Sequence, residues 1–299
     1  MLSRMFPRPA NVDKKAGQKR PPTDSELLKH SCLNRMLPPP TPTRETTNKD
    51  TWDVDPAPKQ VCLHLGMFEI DKPLGKGKFG RVYLVKHRVS GFVCALKVLN
   101  KAEIIRENAE KHVRREIEVH SNLRHPGILA FYGWFHDTRR IFLLLEYAPG
   151  GELFRVLRRV GRFSERRAAT CAVQVAQALN CLHSKNVMHR DIKPENILFG
   201  LHGELKVADF GYSVHAPSNR RDTLCGTLDY LPPEMLSTKA KYTKAVDQWT
   251  LGVLTYEFLV GEAPFEDTPF MTRKRIIKGD MTPLPDSVST EAKDFVHSV

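Results

Sequence analysis

Two short runs, His189-Arg190-Asp191-Ile192-Lys193-Pro194-Glu195-Asn196 and Asp209-Phe210-Gly211, make the strictest demands on any fold this chain adopts. Together they supply a base, a cation and two separated oxygen ligands for a metal. Asp191 can accept the proton of an attacking hydroxyl, and Lys193 can balance charge on a moving phosphoryl group. Asn196 and Asp209 are the kind of oxygen donors that Mg2+ takes, often only one or two from protein. Phosphoryl transfer from ATP asks for little covalent chemistry from a protein, so positioning and charge neutralisation do the work. Either run alone is weak evidence, because an HxD turn or a DFG tripeptide arises by chance. Both in this order form the second half of a phosphoryl-transfer signature.

The first half lies upstream, in the glycine loop Gly75-Lys76-Gly77-Lys78-Phe79-Gly80-Arg81-Val82. Dinucleotide-binding folds use GxGxxG as well, but there the loop opens a helix. Here Val82-Tyr83-Leu84-Val85 follows, and that composition favours a strand. A glycine loop between two strands fits a lid over phosphates, since glycine allows close backbone approach and positive φ. Next, Cys94-Ala95-Leu96-Lys97-Val98-Leu99 reads as a strand carrying one lysine in an apolar run. After such a loop, Lys97 is expected on the α/β-phosphates rather than on a solvated face. Lys97 then needs a carboxylate. The charged segment from Ala102 to Leu123 reads as one long helix offering Glu116 and Glu118. Glu116 shares a helix face with His112, Val113 and His120, while Glu118 is the alternative, expected on the solvated face.

A length of 299 residues has room for a two-part domain and a tail. Net charge is +12, with basic residues spread along the whole chain and no nucleic-acid-reading motif among them. A generally basic surface is the reading that follows, not direct nucleic-acid binding. The six cysteines form no CxxC pair and show no metal-ligand spacing, as reduced thiols of cytosol or nucleus do. No run approaches the ~18 apolar residues of a membrane span, and Met1-Leu2-Ser3-Arg4 begins no secretory signal.

Residues 1 to about 66 are expected to be a disordered, basic, proline-rich tail. Its ten prolines break any periodic pattern, and it holds 11 Lys/Arg against 7 Asp/Glu. Lys14-Lys15 with Lys19-Arg20 reads either as a nuclear-localisation patch or as plain tail charge. From residue 67 to 146 strands dominate around a single helix, with later strands near Leu129–Phe135 and Ile141–Glu146. Tyr147-Ala148-Pro149-Gly150-Gly151 is a breaker cluster and a plausible hinge. From 147 to 299 helices dominate: Glu152–Arg158, Glu165–Ser184, Lys244–Val260 and Phe270–Gly279. The fold class is therefore α+β, an antiparallel-sheet lobe and a mostly helical lobe. Nucleotide is expected between them. Leu74, Val82, Ala95 and Leu198 would wall the adenine, Leu145 would be the gatekeeper, and Glu146 and Ala148 would offer hinge backbone.

Further motifs carry a family resemblance. Leu65-Gly66-Met67-Phe68-Glu69-Ile70, Arg114-Arg115-Glu116-Ile117-Glu118, Asn122-Leu123-Arg124-His125-Pro126 and Phe135-His136-Asp137 resemble an Aurora kinase. So do Ser213-Val214-His215-Ala216-Pro217 and Cys225-Gly226-Thr227-Leu228-Asp229-Tyr230-Leu231-Pro232-Pro233-Glu234. The likeness covers roughly residues 65 to 299. It implies a bilobal protein-kinase fold, a serine/threonine kinase of mitosis, and ATP and Mg2+ as cofactors. It implies locations at chromosome, centromere and kinetochore, in the nucleus, and on the cytoplasmic spindle. It also places Glu116 opposite Lys97, and implies an activator or scaffold peptide of inner-centromere-protein type on the small lobe.

The resemblance extends to regulation and substrate choice. Thr223 is the expected activating phosphosite, with Arg190 and Arg115 as its partners. Glu152, Glu195 and Glu257 match positions that bind substrate arginines, so arginine is expected at −2 or −3 from the target. His120 stands where most kinases place an aliphatic in a stack with Phe131, His189 and Phe210, and outside help to hold that stack is expected. A family member would continue beyond Val299, so the helical lobe is expected to lack its last helices. An active kinase and a weakly active or inactive form that still binds ATP or partner proteins both remain open at this point.

Overall fold

The computed structural model describes residues 63–216, 226–236 and 242–299. Residues 1–62 of the tail expected over 1–66, including its basic patch, and the expected phosphosite Thr223 lie outside the described residues. The chain divides into two compact units. One comprises residues up to Glu110 together with Phe131–Glu146; the other comprises Lys111–Ala130 and Tyr147–Val299.

The first unit is built on β1 (Phe68–Gly77), β2 (Gly80–His87), β3 (Val93–Asn100), β4 (Phe131–His136) and β5 (Arg140–Leu145). They form an antiparallel sheet in the order β1-β2-β3-β5-β4. The alternating strand pattern sends Val85, Cys94, Leu96, Phe142 and Leu144 to one apolar cluster, joined by Phe68 and Phe135. Phe135 stacks on Phe142 at 4.6 Å and on Phe68 at 6.2 Å between centroids. Lys97 sits on the middle strand, level with Val82 on one neighbour and Leu143 on the other. The glycine loop is the β1–β2 hairpin itself, closed by the pair Gly77–Gly80. Gly80 has no room for a side chain, because a Cβ there would lie 1.8 Å from the carbonyl oxygen of Val98.

The long helix expected from Ala102 to Leu123 is two helices, α1 (Lys101–Arg106) and α2 (Glu110–Ser121). Asn100 caps α1 by accepting the N–H of Ala102 at 3.0 Å. Asn108 then adopts φ +51°, a left-handed conformation that asparagine tolerates better than most residues. That turn carries Ala109 into the interior.

The second unit holds α2, α3 (Leu153–Val160), α4 (Glu165–Ser184), α5 (Pro233–Leu236), α6 (Ala245–Val260), α7 (Pro269–Lys278) and α8 (Thr290–Ser298). Its strands are short: β6 (Gly151–Glu152), β7 (Val187–Met188), β8 (Ile197–Phe199), β9 (Leu205–Val207) and β10 (Val214–His215). They pair as β6-β8-β9 and as β10-β7. Helix α4 starts where the sequence predicts, because Ser164 accepts the N–H of Arg167 and Ala168, Ala172, Val175, Leu179 and Leu182 share one face. That face packs on α6, which is apolar on nearly every side and ends at Gly261 with φ +102°. Leu182 and Leu254 are fully buried there, and trimming either to alanine costs about 2–5 kcal/mol. This core holds the short strands, and the loops between those strands carry the His189–Asn196 and Asp209–Gly211 motifs.

Candidate active site

The segment after β7 is fixed from below by one carboxylate. Asp247, on α6, is 0% exposed and accepts the backbone N–H of His189 at 2.9 Å and that of Arg190 at 2.8 Å. His183 Nε2 reaches the same carboxylate at 2.8 Å. Arg190 adopts φ +70°, and its guanidinium donates to the carbonyl of Tyr212 and to the hydroxyl of Tyr242, the latter at 2.7 Å. Arg190 therefore ties the loop before Asp191 to the stretch after Gly211. Burial holds the His189 imidazole well below its ordinary pKa, so the ring is neutral. Its Nε2–H donates to Ala208 O at 3.2 Å, and its Nδ1 accepts the N–H of Asp191 at 3.3 Å.

Asp191 is buried and surrounded by donors. Lys193 Nζ lies 3.2 Å from Oδ2, and the hydroxyl of Thr227 donates to Oδ1 at 3.3 Å. Asn196 Nδ2 donates to Oδ2 and to the Asp191 carbonyl, both at 2.8 Å. Lys193 Nζ also donates to Thr227 Oγ1 at 2.6 Å. The carboxylate is thus clamped in one orientation. Because the Asn196 nitrogen is occupied twice, its amide oxygen is the atom left to meet a cation.

Asp209 is exposed, adopts φ +60° and accepts the N–H of Gly211 at 3.2 Å. A Cβ on Gly211 would lie 3.2 Å from Asp209 Oδ1 and 3.9 Å from Glu116 Oε2, which places Glu116 beside this turn. Among the described residues no three His, Cys, Asp or Glu side chains gather as a metal cluster. Two protein oxygens fit a cation such as Mg2+, which usually completes its shell with water and phosphate.

The aromatic stack is continuous within the second unit. His120 lies 4.5 Å from Phe210, and Phe210 lies 5.2 Å from His189. His120 resolves the polar mismatch noted from sequence by donating Nε2–H to Leu129 O at 2.7 Å. Phe131 is buried on β4 of the first unit.

The three expected arginine-binding carboxylates differ in state. Glu152 pairs with Arg155 at 3.1 Å in an exposed ion pair. Glu195 is exposed on the short 3-10 turn Pro194–Asn196. Glu257 is mostly buried and accepts from the Tyr230 hydroxyl. Burial pushes its carboxyl up to about 8, helped by the negative charges of Glu195, Glu266 and Asp229, with Arg158 opposing.

The remaining expected residues divide between the units. Leu74, Gly75, Lys76, Gly77 and Gly80 lie on β1 and β2 with Val82. Ala95 and Lys97 lie on β3, and Leu145 ends β5 next to Glu146. Lys78 Nζ sits 5.3 Å from the ring centroid of Phe79 at the hairpin tip. Ala148, Leu198 and Glu116 belong to the second unit. Sequence reasoning passed over Asp247 and Tyr242, and placed Thr227 only within a family motif. A lone carboxylate inside the apolar run of α6 was the available signal for Asp247.

Known proteins resemble this chain over both units. The protein kinase domain family matches residues 68–299. The chain is 60% identical over 236 residues to an Aurora kinase of Schizosaccharomyces pombe, covering 78% of this chain and 66% of that protein. It is 57% identical over 239 residues to Aurora kinase A-A of Xenopus laevis, covering 80% and 58%. Against Aurora kinase B of Danio rerio it is 52% identical over 263 residues, covering 85% and 81%. The chain spans less than two thirds of the length of the yeast and frog relatives.

Proposed function

Because this chain belongs to the Aurora family of protein kinases, we propose that it transfers the γ-phosphoryl group of ATP to serine or threonine in proteins. The observation that carries this reading is the clamped Asp191 carboxylate, held by Lys193, Thr227 and Asn196. Asp191 takes the proton of the substrate hydroxyl. That oxygen bonds to the γ-phosphorus as the bond to the bridging oxygen of ADP breaks. Lys193 faces the charge that develops on the transferred group. A bound Mg2+ would neutralise the phosphates, and Asn196 and Asp209 would hold it.

Lys97 holds the α/β-phosphates with Glu116 as its counter-charge, and the Gly75–Gly80 hairpin covers them. Gly75 and Gly77 have no atom within 4 Å of a Cβ position, so their lack of a side chain leaves open backbone for a phosphate. Leu74, Val82, Ala95, Leu145 and Leu198 wall the adenine, and the Glu146 and Ala148 backbones bond its edge. The proposed parts are a tail over 1–66, a small lobe over 67–146 and a helical lobe over 147–299.

Glu152, Glu195 and Glu257 receive substrate arginine at −2 or −3, and phosphorylation of Thr223 raises activity. The proposed targets are mitotic chromosome, kinetochore and spindle proteins, with an activator peptide on the small lobe. A positional peptide array with labelled ATP tests the substrate reading. Selection of arginine at −2 or −3 supports it, and indifference to arginine overturns it.

A further inference from the structure

The second unit carries a groove of about 810 Å³ lined by none of the catalytic-motif residues. Its walls come from the end of α3, the first turns of α4 and the turn joining β8 to β9. Arg159, Arg166 and Arg167 line it, and no Asp or Glu does. The nearby carboxylates are engaged elsewhere. Glu165 accepts the N–H and hydroxyl of Ser289 at 2.8 and 2.6 Å, Glu152 pairs with Arg155, and Glu204 pairs with Lys206.

The groove is not only basic. Val156, Phe199 and Leu201 form apolar wall beside the arginines, and Leu201 is 73% exposed. Arg167 is held in place with its guanidinium 4.1 Å from the Phe163 ring and 6.0 Å from the Phe199 ring. The N-terminal end of the 20-residue α4 opens on the same groove and adds partial positive charge.

We propose that this groove docks an acidic linear segment of another protein. Its carboxylates would pair with Arg159, Arg166 and Arg167, and an aliphatic or aromatic side chain would rest on Val156, Phe199 and Leu201. Charge decides the occupant. The chain's own residues 1–66 carry 11 Lys/Arg against 7 Asp/Glu and a second copy carries +12, so each is disfavoured as a whole. The acidic run Asp50-Thr51-Trp52-Asp53-Val54-Asp55 of the tail is the competing segment, and its occupancy of the groove in the test below would overturn an outside partner. A nucleic acid would supply phosphates but has less use for the aliphatic part of the wall. Docking here leaves the catalytic loop untouched, so it would recruit a protein without occupying the reaction site.

The test uses the full chain and a library of labelled peptides, each rich in Asp and Glu with two apolar residues at varied spacing. Binding is followed by fluorescence anisotropy at physiological salt. At least one peptide should bind, with hydrogen-exchange protection confined to 149–174 and 199–203. The double charge reversal R159E/R166E should weaken it by about tenfold or more, as loss of two charge-assisted pairs implies. The remote reversal R88E/R106E, with the same change in net charge, should not. No binding by any peptide overturns the proposal. So does equal weakening by both double variants, which would mean general surface charge. Full competition by inorganic phosphate would reduce the groove to an anion site, and tighter binding of a single-stranded oligonucleotide would assign it to nucleic acid; either result also overturns it.

Discussion

Asp247 Oδ1 accepts the backbone N–H of Arg190 at 2.8 Å, joining a fully buried carboxylate on α6 to the residue just before the proposed base. The other oxygen takes the His189 N–H and the His183 ring. Asp247→Ala would leave these buried donors without an acceptor. Removing one partner of such a buried charged network costs about 3–5 kcal/mol. The melting temperature should fall by ~10 °C, and Asp247→Asn, which keeps one acceptor, should fall less. Differential scanning calorimetry of the three proteins checks the order.

Thr227 links Lys193 to Asp191 through one hydroxyl. Thr227→Val keeps the shape and removes the link. Misplacing a reacting group by a fraction of its working distance costs up to ~100-fold in rate. In Thr227→Val kcat should fall by about that factor with KM for ATP unchanged, and Thr227→Ser should restore most of it. Steady-state kinetics with a saturating peptide separates these terms.

Glu257 gives a pH dependence with a definite sign. Its carboxyl is raised from 4.5 to about 8, so near neutral pH it holds a proton and cannot pair fully with a guanidinium. The groups facing it are Tyr230, Glu195, Asp229, Glu266 and Arg158. As pH rises through 8 it ionises, and KM for an arginine-containing peptide should fall. In Glu257→Gln that fall should vanish, leaving KM ~10-fold above wild type at pH 8.5. Folding runs the other way. A raised carboxyl contributes most below its unfolded pKa and loses that contribution as pH climbs through 8. The melting temperature of Glu257→Gln should therefore gain on wild type between pH 6 and 9. A constant difference across that range would contradict the assignment.

His120 joins Phe210 and His189 in one stack while satisfying Leu129 O. His120→Ala opens a void against Phe210 and orphans that carbonyl, a loss of about 2–4 kcal/mol. His120→Leu refills the void and loses only the hydrogen bond, so it should sit between alanine and wild type. Thermal unfolding of both variants measures the interval.

The two runs around Asp191 and Asp209 stand out in the sequence because the proposed chemistry admits few residue types at fixed spacing, and the structure brings Lys193 and Asn196 onto Asp191. Helix α4 was legible to the residue, since Ser164 supplies a cap and the apolar face keeps its period to Leu182. The break at Asn108 was not, because the charged pattern continues across it while the backbone turns left-handed to bury Ala109. Asp247 was hidden as a single polar residue in an apolar helix, with partners 57 and 58 positions away. The raised carboxyl of Glu257 was out of reach for the same reason: Glu195, Asp229 and Glu266 come to it from separate segments. One-residue properties and local periods can be read in a line; the environments that retune them cannot.

The most direct measurement is transfer of labelled γ-phosphate from ATP to an Arg-Arg-x-Ser peptide by the purified chain, beside Asp191→Asn and Asp209→Ala. Transfer by the wild type should depend on Mg2+ and be lost in both variants, each still folded by circular dichroism. A folded wild type with no transfer, or variants that match it, would contradict the assignment of Asp191 and Asp209.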